Sequence, residues 1–311
     1  MIFPKKPEIL YAPMLATMGG GSATGFGRGV GGGFKLGTPF TFYDLGMAAL
    51  YSTLTYGTDH DSQSVKDIRF SSGGFRCFIF PYNAVNGHKI TQLELSTAYD
   101  LTSATSTTSH SMFSISGFET MWNFSQDGLH LTAGTRNNIK QYILSSPYDI
   151  SNVNPSNYNS QISIGSNNCQ GGGYNANGSL FWTYQRYGDD MVVYDLPTAY
   201  SFTNAAVNSN YTRYSLNISS GTGKNIYGTH MSADGRYLAA IDSFQNQRVY
   251  ITELSTAYNF QTNQGAVAKN FTSPAGHGAP QMGLAVTPDY VYFSDDYSSG
   301  QIRMYNATVF S

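Results

Sequence analysis

The sequence predicts an all-β fold, a β-propeller of five four-stranded antiparallel blades, with six blades as the alternative count. The first reason is a repeated segment: "ELSTAYD" begins at Glu94, "ELSTAYN" begins at Glu253, and two looser copies lie between them. The copies lie roughly 50 to 60 residues apart, a spacing typical of propellers and solenoids. The four copies are marked by Tyr99, Tyr148, Tyr200 and Tyr258.

The second reason is a strand-turn-strand pattern that precedes each copy and occurs once more near the C-terminus. Three of its turns contain an Asp-Gly or Asn-Gly pair, which supplies the positive φ that tight hairpins need. These turns are Gln126-Asp127-Gly128, Ala176-Asn177-Gly178 and Ala233-Asp234-Gly235. Ser72-Gly73-Gly74 fits the pattern, whereas Pro288-Asp289 departs from it. The sequence therefore predicts five hairpins.

A third strand follows each hairpin, and a more polar fourth strand follows the first four third strands. The third strands read "KITQLEL", "NIKQYIL", "DMVVYDL", "RVYITEL" and "QIRMY", and examples of the fourth are "NSQISIG" and "NYTRYSLNI". Alternation along a strand predicts that Ile90 and Leu93, or Val192 and Tyr194, share a half-buried sheet face. Four antiparallel strands in each unit make a propeller blade.

The last unit ends after its third strand, so its sheet needs a fourth strand from elsewhere. An open sheet edge invites aggregation, and residues 38–58 precede the first hairpin without inner strands of their own. We expect this segment to complete the last blade and close the ring.

Residues 1–37 differ from the rest, because a proline-punctuated apolar strip runs into a glycine-rich stretch that offers little surface for a core. We predict an extended arm over residues 1–37 and a propeller domain over residues 38–311, a floppy tail being the alternative for the arm. The apolar strip is predicted to dock onto another subunit. Its anchoring residues would be Phe3, Lys5, Lys6, Ile9, Leu10, Tyr11, Met14 and Leu15.

The composition narrows the classes of function. Only 12% of residues are charged, about half the usual share, and the net charge is −2. That balance, with no basic stripe, argues against nucleic-acid binding. No segment approaches the roughly 20 apolar residues of a membrane-spanning helix. Cys77 and Cys169 are predicted to be partly buried thiols that do not pair with each other.

The repeats and the N-terminal segment resemble structural proteins of tailed phages, especially marine ones. The repeat resemblance rests on "FSQDG" followed by "YILSSPYDIS", and on "LELSTAYDLTSAT" and "YDLPTAYSFT". The opening "FPKKPEILYAPMLATMGGGSATGFGRG" is similar to the N-terminal segment of tail fibre-like proteins. The proline of the family's Ser-Pro-Asp-Gly turn is replaced here by Gly73, Gln126, Ala176 or Ala233. The resemblance implies a virion protein with an inserted arm and an outward propeller.

The chain shows few patterns that carry chemistry. The six histidines are scattered, and there is no nucleophile elbow or phosphate-binding loop, so we expect no enzyme activity, cofactor or metal. Acidic pairs in loops are interpreted as solvated turn residues rather than calcium ligands. Aromatic rings are the better sign of ligand contact, since they stack on sugars and protein partners. The acidic pairs are Asp59 and Asp61, Asp189 and Asp190, and Asp295 and Asp296; the aromatic candidates are Trp182, Tyr184, Tyr187 and Tyr297.

The leading hypothesis is therefore a non-enzymatic tail fibre or tail tip component, assembled in the host cytoplasm and present in several copies on the phage particle. Its partners would be other virion proteins and, at the outer surface, a host glycan or receptor. A capsid decoration or head-fibre protein is the second hypothesis, and a carbohydrate-binding or glycan-cleaving propeller is the third.

Overall fold

In the computed structural model the chain forms five antiparallel sheets arranged as blades around a central axis. The all-β prediction is confirmed: within the described residues the helical segments are single 3-10 turns at Leu101–Ser103 and Phe260–Thr262. The structure describes residues 50–55, 65–81, 88–112, 121–151, 153–154, 157–165, 168–185, 190–208, 214–215, 226–232, 234–242, 248–270, 281–287, 290–295 and 301–306.

In blades 1, 2 and 4 the strands pair in chain order from the axis outward. Blade 1 contains β2 (Val65–Phe70), β3 (Arg76–Pro81), β4 (His88–Leu95) and β5 (Ala104–Met112). Blade 2 contains β6 (Met121–Phe124), β7 (His130–Gly134), β8 (Asn138–Ile143) and β9 (Ser160–Ser163). Blade 3 contains β10 (Cys169–Tyr174), β11 (Leu180–Gln185), β12 (Asp190–Asp195), β13 (Ala206–Val207) and β14 (Tyr214–Ser215). Blade 4 contains β15 (Ile226–Met231), β16 (Tyr237–Asp242), β17 (Arg248–Leu254) and β18 (Asn263–Asn270). Blade 5 contains β19 (Gln281–Val286), β20 (Tyr290–Asp295), β21 (Gln301–Asn306) and β1 (Leu50–Thr55).

Blade 5 is completed by the N-terminal strand, as the sequence predicts. Strand β1 runs antiparallel to β21 with Leu54 opposite Ile302. The first and last strands in chain order therefore lie side by side. The innermost strands contact one another in the order β2, β6, β10, β15 and β19, and β19 returns to β2. The ring therefore closes with five blades rather than six.

Each blade buries both faces, because it packs against a neighbour on either side. Five apolar clusters result, each built from two adjacent blades. Val192 and Tyr194 share one cluster, but Ile90 faces blade 2 while Leu93 faces blade 5. The prediction for Ile90 and Leu93 was wrong because residues three apart on a strand point to opposite faces. The faces are also fully buried rather than half-buried.

The outer edge of blade 3 departs from the predicted pattern. Two short strands, β13 and β14, both pair with β12 at different positions along it. The fourth strand expected over "NYTRYSLNI" is represented in the described residues by Tyr214–Ser215 alone, preceded by Ala206–Val207. Within the described residues, the outer edge of this blade therefore consists of two short strands.

The hairpin turns between first and second strands follow one design in four blades. A residue that opens the turn accepts a hydrogen bond from the backbone N–H of a glycine three positions later, as Ser125 does from Gly128 over 2.9 Å. Each of these glycines has a φ between 70 and 74°, a conformation that side chains disfavour. The predicted turn chemistry is confirmed at Gly74, Gly128, Gly178 and Gly235. We call the side of the ring that carries these turns the hairpin face.

The corner tyrosines, Tyr99, Tyr148, Tyr200 and Tyr258, hold each third-to-fourth strand corner against the hairpin turn of the same blade. The backbone N–H of each donates to the carbonyl of the turn glycine over 2.8 Å. The repeat is therefore an architectural element, since it joins two turns that are distant in sequence.

The corner tyrosines also connect neighbouring blades. The Tyr148 hydroxyl donates to the Gln126 carbonyl of its own blade and accepts from the Ser72 N–H of blade 1, both over 3.1 Å. The Tyr292 hydroxyl of blade 5 donates to the carbonyl of Tyr99 in blade 1. These bonds join blade 1 to blade 2 and to blade 5 at the hairpin face.

Both cysteines are thiols, and the prediction that they do not form a disulfide is confirmed. They are fully buried rather than partly buried: Cys77 lies in the core between blades 5 and 1, and Cys169 in the core between blades 2 and 3. The Cys169 Sγ lies 2.7 Å from the Thr183 hydroxyl.

Candidate functional site

A cavity of about 300 Å³ lies at the centre of the ring and is lined mainly by the last residues of the five innermost strands. It lies at the hairpin face, because these strands end there and Ser71 and Ser72 of the first turn contribute to its wall. A volume of this size is at the lower end of small-molecule sites. We therefore treat this axial cavity as the candidate functional site.

A charged group from strand β2 occupies the axis beside the cavity. The Arg69 guanidinium pairs with Asp67 over 3.0 Å, and donates to the Trp122 carbonyl over 2.9 Å and the Leu284 carbonyl over 3.3 Å. One side chain thus bridges blades 1, 2 and 5. Burial is the main cause that raises the pKa of the Asp67 carboxyl, while the charge of Arg69 opposes it.

Lys66 crosses the axis from the same strand. It is almost fully buried, and its Nζ donates to the Gln170 Oε1 of blade 3 over 2.8 Å. Strand β2 thus places two basic side chains, Lys66 and Arg69, and the carboxyl of Asp67 in the interior of the ring.

His230, at the end of strand β15, lines the cavity as a neutral side chain. Burial, with a contribution from the positive charge of Arg69, lowers its pKa from 6.5 to about 3. A neutral imidazole offers one donor and one acceptor. At physiological pH the cavity therefore carries no charge from this residue.

The glycine run Gly171–Gly173 allows blades 2, 3 and 4 to approach one another closely at the axis. A Cβ at Gly172 would come within 2.6 Å of the Trp182 carbonyl oxygen, and one at Gly171 would collide with the Thr229 side chain. A Cβ at Gly173 would lie 2.7 Å from the Asn123 Nδ2 and 3.4 Å from the Trp182 Nε1. The missing side chains thus keep one wall of the cavity close to polar nitrogen atoms.

Two buried polar atoms on the cavity walls have no hydrogen-bond partner within the described part of the chain. They are the Trp182 Nε1 and the Thr229 Oγ1, on side chains that are 2% and 1% exposed. A buried donor without a partner lowers the stability of the folded state by about 1–3 kcal/mol. Of the two, the Thr229 Oγ1 is packed against Gly171, where an added Cβ would lie 1.9 Å from it.

The aromatic residues predicted to contact a ligand lie in different places. Trp182 lines the cavity, but its ring packs in the core between blades 3 and 4, 6.1 Å from the Phe260 ring. Tyr184 is fully buried in the same core. Neither presents an open ring face for stacking. Tyr187 and Tyr297 lie outside the described residues, as do all eight predicted anchoring residues from Phe3 to Leu15.

The sequence analysis did not identify the axial residues Lys66, Asp67 and Arg69. Their signal was present in the strand "VKDIRF", where charged residues lie in a strand that is otherwise apolar. Within the described residues no group of three His, Cys, Asp or Glu side chains is arranged to hold a metal ion. No helix among them has the length and apolar character to cross a membrane.

Comparison with known proteins gives a likeness of fold. No family model and no curated protein sequence matches the chain. Among solved structures, the β-propeller domain of Cps50 (Swd1) from Myceliophteria thermophila is 10% identical, with a TM-score of 0.43 over 78% of this chain and 84% of that chain. At this identity the similarity concerns the fold alone. From its own strand pairing, the chain is a five-bladed, all-β propeller.

Proposed function

We propose that the chain is a structural protein of a tailed-phage particle, a tail fibre or tail tip component that docks by residues 1–37 and displays its propeller to neighbouring subunits or the host. The resemblance of its repeats and N-terminal segment to such proteins supports this, as does a surface that is poor in charge. It is assembled in the host cytoplasm and carried in several copies on the virion.

The observation that carries the proposal is the position of strand β1. As the outermost strand of blade 5, β1 begins with Leu50 opposite Tyr305, at the end of the sheet nearest the hairpin face. The chain that precedes Leu50 therefore joins the propeller at its rim and not through its core. None of the described strand pairs includes a residue from 1–37, which supports an anchor that is separable from the propeller.

A non-enzymatic role is consistent with the state of the reactive groups in the described residues. Burial raises the pKa of the Cys169 thiol to about 11 and raises that of Cys77 well above its usual value, so neither is a ready nucleophile. The axial Asp67 is held by Arg69 and by the Trp122 N–H. The carboxyl of Asp67 thus joins blades 1 and 2.

Incorporation into particles tests the proposed function. Full-length protein and a variant lacking residues 1–37 are supplied in turn to a phage that lacks the gene, and purified particles are analysed for each. The shortened protein should keep its circular dichroism spectrum and its melting temperature but be missing from particles. Incorporation of the shortened protein at the full-length level would overturn the anchoring role.

Point variants in the arm refine that test. Ile9→Asp with Leu10→Asp places charge in the apolar strip and should reduce incorporation strongly, while Lys5→Gln with Lys6→Gln tests the contribution of charge at a matched site. The number of copies per particle, measured on quantitative gels, distinguishes a location on the tail from a location on the head. A small number per particle supports the tail, and hundreds support a capsid decoration or head-fibre protein.

A further inference from the structure

We propose that the axial cavity binds a small organic carboxylate. The proposal goes beyond the structural role above and does not depend on it. It rests on the donors that line the cavity, on the charge beside it and on its size.

Some hydrogen-bond donors of the lining residues have no acceptor within the described part of the chain. Trp182 Nε1, which can only donate, is one of them. The Arg69 bonds to Asp67, Trp122 and Leu284 use three of its five N–H groups. An acceptor-rich ligand would satisfy the remaining donors.

The donors converge on one part of the wall. Asn123 Nδ2 and Trp182 Nε1 both lie close to Gly173, 2.7 Å and 3.4 Å from the position that a Cβ would take there. Asn123 is partly exposed and gives one amide proton to the Gly172 carbonyl over 2.6 Å, which leaves its second proton for a ligand.

The charge favours an anion over a neutral ligand. No Asp or Glu is among the described residues that line the cavity, and Arg69 is. The guanidinium of Arg69 therefore gives the described lining a positive charge. Carboxylates accept several hydrogen bonds at once, and bonds between charged partners are the strong ones.

Size and ring orientation limit the ligand further. A cavity of about 300 Å³ admits a small molecule rather than a polymer chain. The Trp182 ring is packed in the core and offers its nitrogen edge, so recognition proceeds by hydrogen bonds rather than by stacking on a sugar face. This distinguishes the site from a carbohydrate platform.

The chain provides its own internal control, because it has two tryptophans with the same chemistry in different places. Trp122 Nε1 is also buried without a partner in the described region, but Trp122 packs against Phe80 in the core between blades 1 and 2. In full-length protein labelled with ¹⁵N-tryptophan, the two indole N–H signals are assigned with Trp122→Phe and Trp182→Phe. Acetate, glucuronate and glucose are then titrated at constant ionic strength.

Saturable movement of the Trp182 signal by acetate and glucuronate, with Trp122 unmoved and glucose without effect, supports the proposal. Asn123→Ala, which removes the amide donor, should weaken glucuronate binding about tenfold. Equal movement of both signals, movement by glucose alone, or no movement with any of the three probes would overturn it. Trp122→Phe should bind like the wild type.

Discussion

The backbone N–H of Tyr99 donates to the carbonyl of Gly74 over 2.8 Å, while the tyrosine ring lies against the α-carbon of the same glycine. A Cβ at Gly74 would meet the ring at 2.6 Å. The two residues belong to different turns of blade 1, and the same pairing recurs in blades 2, 3 and 4. The repeated motif thus forms a packing contact within each blade and does not supply a reactive side chain.

Replacement of Gly74 by alanine should therefore lower the free energy of unfolding by about 3 kcal/mol, the sum of a strained positive φ and a steric clash with Tyr99. Gly73→Ala in the same turn is the matched control, since its new Cβ would have only the Phe75 side chain nearby, at 3.6 Å. We expect that control to stay within about 0.5 kcal/mol of the wild type. Denaturant unfolding measures both, and equal effects would contradict the clash.

Tyr148→Phe should lower the free energy of unfolding by about 1 kcal/mol. The substitution removes a hydroxyl that forms hydrogen bonds with Gln126 in its own blade and with Ser72 in blade 1. Tyr158→Phe provides the comparison, since Tyr158 is exposed. Its effect should stay within about 0.5 kcal/mol. The difference in denaturant midpoint between the two variants is the measurement, and its absence would argue against a bond between blades.

Removal of strand β1 should open the ring. A variant without residues 1–58 leaves the edge of β21 uncovered, and we expect it to lose cooperative thermal unfolding and to aggregate through that edge. The variant without residues 1–37 keeps β1 and should melt within a few degrees of the full-length protein. Calorimetry with light scattering distinguishes them. A soluble, cooperatively folded 59–311 fragment would show that the closing strand is dispensable.

Acid should destabilise the protein through His230. Its pKa is lowered from 6.5 to about 3 in the folded state, so the unfolded chain binds more protons between these values and stability falls as the pH drops below 6.5. The slope from this single residue is about 1.4 kcal/mol per pH unit. Asp67, whose pKa is raised, contributes in the opposite sense.

The difference between wild type and His230→Gln isolates the histidine, because the contribution of Asp67 is common to both. The stability of the variant should depend less on pH between 6 and 4, as measured by urea unfolding at each pH. An identical pH dependence in both proteins would mean that folding does not lower the pKa of His230, so that the imidazole is protonated in the folded chain as readily as in the unfolded one.

Both thiols should resist alkylation while the protein is folded. With a pKa of about 11, Cys169 at pH 8 is ionised in only about one molecule in a thousand, and burial also raises the pKa of Cys77 well above its usual value. Mass spectrometry after iodoacetamide treatment should show labelling of both only in denaturant. Thr97→Cys, on an exposed corner, is the positive control and should react quickly. Rapid labelling of the native cysteines would reveal local opening of the cores between blades.

The repeat made the blades predictable because each copy marks the same point in the chain, the exit of the third strand. The absence of a copy after Tyr305 indicated which blade lacks its outer strand, and the segment around Leu50 was the part of the chain without inner strands. The repeat copies and the unpaired segment around Leu50 therefore allowed both the number of blades and the closing strand to be predicted. The faces of single residues were less predictable, since Ile90 and Leu93 are both apolar whichever neighbour they contact.

The axial site was not predictable from local pattern. Lys66, Asp67 and Arg69 read as ordinary polar positions in a strand, and only the ring brings them beside Gln170 and Trp122, far away in sequence. The glycines at 171–173 likewise resemble a flexible stretch until three blades meet around them. Contacts across a ring arise from the whole fold, which no short window of sequence contains.

The pairing of β1 with β21 also sets the order in which the protein can mature on the ribosome. Four blades can form as they emerge, but β1 must wait for a partner synthesised roughly 250 residues later, a contact of high sequence separation. A chain released early would carry two uncovered edges, at β1 and at the last completed blade. Closure of the ring thus requires that synthesis has passed β21, because β21 is the strand that covers β1.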